Sequence, residues 1–443
     1  MLPAGSYGEQ LVRGMRMVAN VGVRFVKRLL VLCVFALSLT IAGKHVPLPD
    51  APLDKVQITL ERGACLGRCP VYTIDIHGDG RVVYNGAAFV DVDGEHSYRV
   101  PSEEVAKLID RLRASDIWSL RSIYRAAITD YPTYVLTINM NGEVKRLEDY
   151  AGELVGMPSS VSDFENEVDQ VTRSKMWIQF SSESLDQLKT EGYEFGSQAA
   201  GDILARAVAS EGDHHKDEAL LNFLTLGAPI SGTGYSKNAL IEDALLERRA
   251  ILIDQLIAKG FLSTDGKPDQ RKIDAAFRAA IRGGSLALVQ KIWGDGDRPR
   301  PALTFDDVPR FDKAAAPRQS PVTLLLPRYT YHKPRDDQAI AKWLASLGCN
   351  IKAAGADGAT LLHIAAGADD ADFVRYLLEQ GIHASTPGEF GLPALASADS
   401  EEVALILLEA GTDMSRMDGH HFRTYAEYRH WPRVLAWLNA HGQ

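Results

Sequence analysis

Between residues 182 and 443 an apolar, helix-like segment is closed by glycine seven times, at Gly192, Gly227, Gly260, Gly294, Gly348, Gly381 and Gly411. The intervals are 35, 33, 34, 54, 33 and 30 residues. The segments share one pattern: ALLNFLTLG at 219–227, ILIDQLIAKG at 251–260, LALVQKIWG at 286–294, IAKWLASLG at 340–348, FVRYLLEQG at 373–381 and VALILLEAG at 403–411. Apolar residues recur three and four apart, which gives each helix one buried stripe. The glycine falls where a helix end calls for a left-handed residue. A helix this short cannot bury its stripe alone, and stacked copies bury it against each other. The pattern predicts an all-α solenoid over 182–443 with six to seven units, including a half unit at 182–195 and a cap near 420–441. The 54-residue interval holds an insertion at 295–320 whose Pro and Gly content excludes a long helix.

One copy carries a sharper signature: Asp357, Gly358, Thr360, Leu361, Leu362, His363, Ala365 and Ala366. This resembles the opening D-x-x-G-x-T-P-L-H-x-A-A of the ankyrin-repeat family, with Leu361 in place of Pro. Other copies keep the helices without the tetrapeptide, at Ile203–Ala207, Ala276–Ala280 and Leu392–Ala396. The resemblance implies that Thr360, Leu362, His363, Ala365 and Ala366 serve the repeat's structure, with His363 bracing the turn by hydrogen bonds. It also implies a face for a protein partner, lined near Asp357, Gly358, Glu389 and Phe390.

Residues 54–178 read differently. QITLER, VYTIDI, RVVYNG and EHSYRV alternate apolar and polar residues, the period of half-buried strands. His77–Gly80 and Asn141–Gly142 are hairpin turns. A helix over 103–114 buries Val105, Leu108, Ile109 and Leu112, with Ser102 as its N-cap, and a second helix runs over 159–173. The region is expected to be an α+β domain with a largely antiparallel sheet.

Within it, Cys65 and Cys69 frame C-L-G-R-C, followed by Pro70. With Gly63 and Tyr72 the string is similar to one found in an uncharacterised family of exported bacterial domains, which implies a related fold and no activity. The pair has several readings: a structural disulfide, a redox-active dithiol, a metal site completed by His77 or His96, or free thiols. The disulfide is favoured, because thioredoxin-type sites use C-x-x-C at a helix start and zinc sites show a second ligand pair. Cys349, directly after a repeat glycine, is expected to be a buried small residue.

Arg24, Lys27 and Arg28 precede a 14-residue apolar run, Leu29–Ala42, too short to span a bilayer comfortably. A basic start, a short apolar stretch and small Thr40 and Ala42 describe a secretory signal over 1–42, followed by a Pro-rich linker at 43–53. The expected compartment is the periplasm or the exterior, and the membrane enters only through an uncleaved signal. The formal charge is −10, and residues 1–42 carry +4, which leaves −14 for the rest. An acidic body argues against nucleic acid as a partner. His214–His215 and the His420, His421 and His430 group read as solvated loop and cap residues rather than metal ligands. No G-x-S-x-G or phosphate-loop string occurs. The expectation is an exported, non-enzymatic protein-binding scaffold with no cofactor, no metal and no catalytic residue. The rival is a thiol–disulfide or metal-dependent enzyme in the N-terminal domain, with the repeats selecting its substrate.

Overall fold

A computed structural model describes residues 46–210, 216–236, 238–294, 296, 298–305, 319–326, 335–355, 357–417 and 419–442. The expected signal at 1–42, His214–His215 and most of the 295–320 insertion lie outside the described residues. The chain divides into two units, Met1–Ile178 and Gln179–Gln443. Among the described residues no helix is long and apolar enough to cross a membrane.

The first unit is built on a seven-stranded sheet. In chain order the strands are β1 (Val56–Arg62), β2 (Val71–His77), β3 (Arg81–Ala88), β4 (Gly94–Arg99), β5 (Ile123–Arg125), β6 (Tyr134–Met140) and β7 (Glu143–Tyr150). Their order across the sheet is β4-β3-β2-β1-β6-β7-β5. Every pairing is antiparallel except that of the short edge strand β5 with β7, a strand not anticipated from its sequence. Asn141 and Gly142 both take positive φ, 53° and 97°, as a two-residue turn matched to strand twist requires.

Alternation sets the core. Val56, Ile58 and Leu60 of β1, Ile74 and Ile76 of β2, and Leu136 and Ile138 of β6 are all buried. Helix α1 (Ser102–Ala114) buries the four expected residues, Val105, Leu108, Ile109 and Leu112. It begins at Ser102 itself, with Pro101 at the cap position and no side-chain cap bond, so the expected Ser102 cap is not made. Pro101 has a fixed φ and lacks an N–H, and it starts the helix unaided. Helix α2 (Ser159–Thr172) packs beside α1 and buries Val161, Phe164, Glu165, Val168 and Thr172. The short helix α3 (Lys175–Ile178) places Trp177 against His96, ring centroids 4.1 Å apart.

The second unit is helical, in two rows. The first row runs through helices Gln198–Ala209, Leu240–Leu246 and Gln270–Gly283, the 3-10 turn Pro321–Leu325, helix Leu361–Gly367 and the 3-10 turn Ala394–Ser397, each packed on the next. The second row holds the helices closed by the repeating glycines, all seven of which have positive φ, between 70° and 113°.

Two first-row members depart from the expected helices. The interval from Gly381 to Gly411 is three residues short of 33, and the loss falls on the first helix. Thr360 precedes the next N-cap, Asp370, by ten residues, whereas Pro393 precedes Ser400 by seven. One tight turn is all that fits. Likewise Pro321–Leu325, just past the insertion, is a 3-10 turn with Pro at its start and Pro327 soon after its end. A small strand pair, Ser263–Thr264 with Lys267–Pro268, was not anticipated either.

Candidate functional site

The sharpest repeat is held by a side chain. The backbone N–H of Thr360 donates to His363 Nδ1 at 3.1 Å, closing a capping box. With Nδ1 accepting, Nε2 carries the proton and donates to the Leu392 carbonyl at 3.2 Å, in the following repeat. Burial holds the imidazole below its ordinary range, which keeps this neutral form. Leu361, Leu362, Ala365 and Ala366 are all buried beneath it. The neighbouring backbone is close enough that a Cβ on Gly388 would overlap the His363 ring.

The four residues expected to face a partner lie in two turns of matching form. Gly355 N–H donates to Ala359 O at 2.8 Å, and Gly388 N–H to Leu392 O at 2.7 Å, 33 residues on. Asp357 Oδ1 accepts from Ala359 N–H at 3.0 Å, a polar turn bond. The structure brings the turns together: a Cβ on Gly358 would sit 3.1 Å from Pro387 O. Glu389 opens the 3-10 turn Glu389–Gly391. Phe390, equivalent to Asp357 by the 33-residue register, is 87% exposed and takes φ 57°. A bulky aromatic in the left-handed region is held there at a cost of about 1 kcal/mol, with no packing to offset it.

Cys65 and Cys69 are joined as a disulfide, Cα atoms 5.7 Å apart, in the loop from β1 to β2. No helix begins there. His77 is within 2.9 Å of Arg81, His96 stacks on Trp177, and among the described residues no group of three His, Cys, Asp or Glu is placed to hold a metal. Cys349 is buried, which pushes its thiol up to about 11.

Beside the disulfide lies a feature that the sequence reading passed over. A cleft of about 660 Å³ opens at the ends of β1, β2, β6 and β7, with Cys69 and Pro70 on one side and α2 on the other. Its floor is charged. Arg62 is only 8% exposed; its Nη2 donates to Asp169 Oδ2 at 2.7 Å, its Nη1 to Glu165 Oε2 at 3.3 Å, and its guanidinium lies 4.2 Å from the Tyr134 ring centre. Asp169 Oδ1 accepts from Tyr72 Oη at 2.7 Å and Ser174 Oγ at 2.6 Å. Burial, with Asp169 beside it, pushes the Tyr72 phenol above its ordinary range. Burial pushes the Glu165 carboxyl up to about 8, Arg62 opposing and Asp149 and Asp169 adding to the rise. Asp149, whose Oδ1 accepts from Gly152 N–H at 2.6 Å, is also raised by burial.

The signal was present. Arg62 is in phase with Val56, Ile58 and Leu60, and Glu165 stands four residues after Val161 and three before Val168 on the buried stripe of α2. A charge on an apolar face marks either a paired core ion or a site.

Against known proteins, residues 333–418 match the model for ankyrin repeats (3 copies). This segment carries ankyrin repeats. Residues 56–172 match a domain of unknown function, DUF6438. Among solved structures, the ankyrin repeat domain of Bcl-3 is 18% identical over 51% of this chain and 91% of its own, TM-score 0.30. The human ASB11 ankyrin repeat domain is 17% identical over 52% of this chain and 94% of its own, TM-score 0.34. No curated protein matches this chain. Ankyrin repeats of this kind suggest a protein–protein interaction scaffold, and the Thr360–His363–Leu392 bracing is what their motif residues do here.

Proposed function

We propose that this protein is an exported, non-enzymatic scaffold whose ankyrin repeats hold a protein partner through the turns at 355–359 and 388–392. The observation that carries the reading is Phe390: an aromatic side chain 87% exposed, in a costly backbone conformation, beside the polar Asp357 turn. Exposed aromatics at the tips of a rigid array are the residues that anchor interfaces. Export is supported by the Cys65–Cys69 disulfide, a bond that persists in oxidising compartments, and by the basic and apolar segments at 24–42. The periplasm or the exterior is therefore the proposed location.

The test compares the immobilised full chain with its Phe390→Ser variant against a periplasmic extract. A protein retained by the first and lost by the second is the expected result. If everything retained is retained equally by both, the reading fails. Location is tested by fusing residues 1–50 to a reporter active only outside the cytoplasm, and a silent reporter would overturn export.

A further inference from the structure

Four carboxyl groups, Asp149, Glu153, Glu165 and Asp169, line the cleft of the first unit, against one cation, Arg62. Most of these groups are already engaged. Asp169 accepts from Arg62, Tyr72 and Ser174, Asp149 from Gly152, and Glu153 from Ser162 Oγ at 2.7 Å. Glu165 is the exception. It is 1% exposed, and while Oε2 faces Arg62, Oε1 is buried with no hydrogen-bond partner among the described residues. A buried carboxyl oxygen left without a donor costs about 1–3 kcal/mol, more when charged. Such a group in a cleft wall is an open valence for a ligand that brings a donor.

The surroundings state which donor. Formal charge favours a cation, since the single positive charge of Arg62 faces four carboxyl groups. Tyr131 and Tyr134 supply aromatic walls, and the rim carries exposed apolar side chains, Tyr131 at 47% and Leu154 at 71%. A charged head with an alkyl stem fits both parts. We propose that this cleft binds a primary alkylammonium group, whose N–H donates to Glu165 Oε1 while its stem lies along the Tyr131 and Leu154 rim. Two sources carry that chemistry, a free aliphatic amine and a lysine side chain of a peptide.

Binding moves a proton. The groups facing Glu165 are Arg62 from β1, Tyr134 from β6, Asp149 from β7 and Asp169 from its own helix. In the free protein at pH 7 the Glu165 carboxyl, held up to about 8, is mostly protonated. An ammonium beside it favours the carboxylate, so the carboxyl proton leaves to buffer as the ion pair forms.

The experiment is calorimetry on the full-length chain at pH 7, in two buffers of different ionisation enthalpy. The probes are Nα-acetyl-lysine amide, n-butylammonium and the neutral isostere Nα-acetyl-norleucine amide. The expected result is binding of lysine amide with release of most of one proton, no binding of norleucine amide, and at least tenfold weaker binding in Glu165→Gln. Equal binding of n-butylammonium assigns the site to free amines, and binding of lysine amide alone assigns it to a peptide side chain; both support the proposal. It is overturned if neither cation binds, if norleucine amide binds as well as lysine amide, or if binding releases no proton. Should Glu165→Gln fail to fold, by circular dichroism, the proton count and the isostere comparison on the native chain still decide.

Discussion

His363 Nε2 and the carbonyl of Leu392 meet at 3.2 Å across 29 residues of sequence, so one imidazole is shared by two repeats. Its Nδ1 must accept from Thr360 for this to hold, and protonating it turns that acceptor into a second donor facing an N–H.

From this bond a pH dependence follows. The folded imidazole lies below its ordinary value near 6.5, so as pH falls past that value the unfolded chain takes up the proton first. Stability is fully present above about pH 6.5 and is lost as pH drops below it. His363→Ala removes that loss and lowers stability at pH 7.5 by about 1–3 kcal/mol. Urea titrations of both chains at pH 7.5 and pH 5.5 measure the two effects.

Gly388→Ala places a methyl group in the His363 ring. The expected cost is about 1–3 kcal/mol, as for other overpacked cores, and it should nearly vanish in a chain that already carries His363→Ala. A double-mutant cycle by urea denaturation reads the coupling.

At the first unit the sign is opposite. Glu165 folded holds its proton up to about 8, where the unfolded carboxyl loses it near 4.5. Between those values the folded chain binds more protons, so this residue's contribution to stability declines as pH rises from 4.5 to 8. Glu165→Gln flattens the decline, seen as a smaller difference in urea midpoint between pH 5 and pH 8. Arg62→Met, by contrast, leaves Asp169 and Glu165 without their cation and is expected to cost about 3–5 kcal/mol.

Opening the Cys65–Cys69 bond frees a loop of five residues, for which the chain-entropy account gives about 2 kcal/mol. The double Ser variant should lose about that much, by thermal unfolding under non-reducing conditions. Partner retention at the ankyrin turns should be unchanged, which separates a structural bond from a catalytic one.

Phe390→Gly should cost nothing in stability, and gain up to about 1 kcal/mol, because glycine takes positive φ freely. The same change should weaken partner binding by about 2 kcal/mol, roughly thirty-fold, if the aromatic is the anchor. Surface plasmon resonance with the captured partner, beside a melting curve, gives both values.

Much of this architecture could be read in the residues. The alternation in β1–β4 and the apolar stripes ending at the seven glycines are periodic signals, and burial against a neighbour is their only outlet. His363 was legible because its motif states its partners. The cleft was not read, although Arg62 and Glu165 sit in phase with apolar neighbours. Treating the inward face as purely hydrophobic hides a buried ion pair, and the pairing spans 103 residues that only the sheet brings together. The 3-10 turns were missed for another reason. A three-residue deficit between Gly381 and Gly411 shows in the spacing, but which helix gives up the residues is decided by where Pro393 and Ser400 stand.

One of those turns changes how the array bears load. Where Pro321–Leu325 replaces a full helix, that step of the first row offers the following helix, Leu361–Gly367, less surface than the helical steps do. In a stack whose cohesion is the sum of adjoining faces, thin faces are seams. A chain pulled from its ends should part there first, releasing the helices in blocks rather than one at a time.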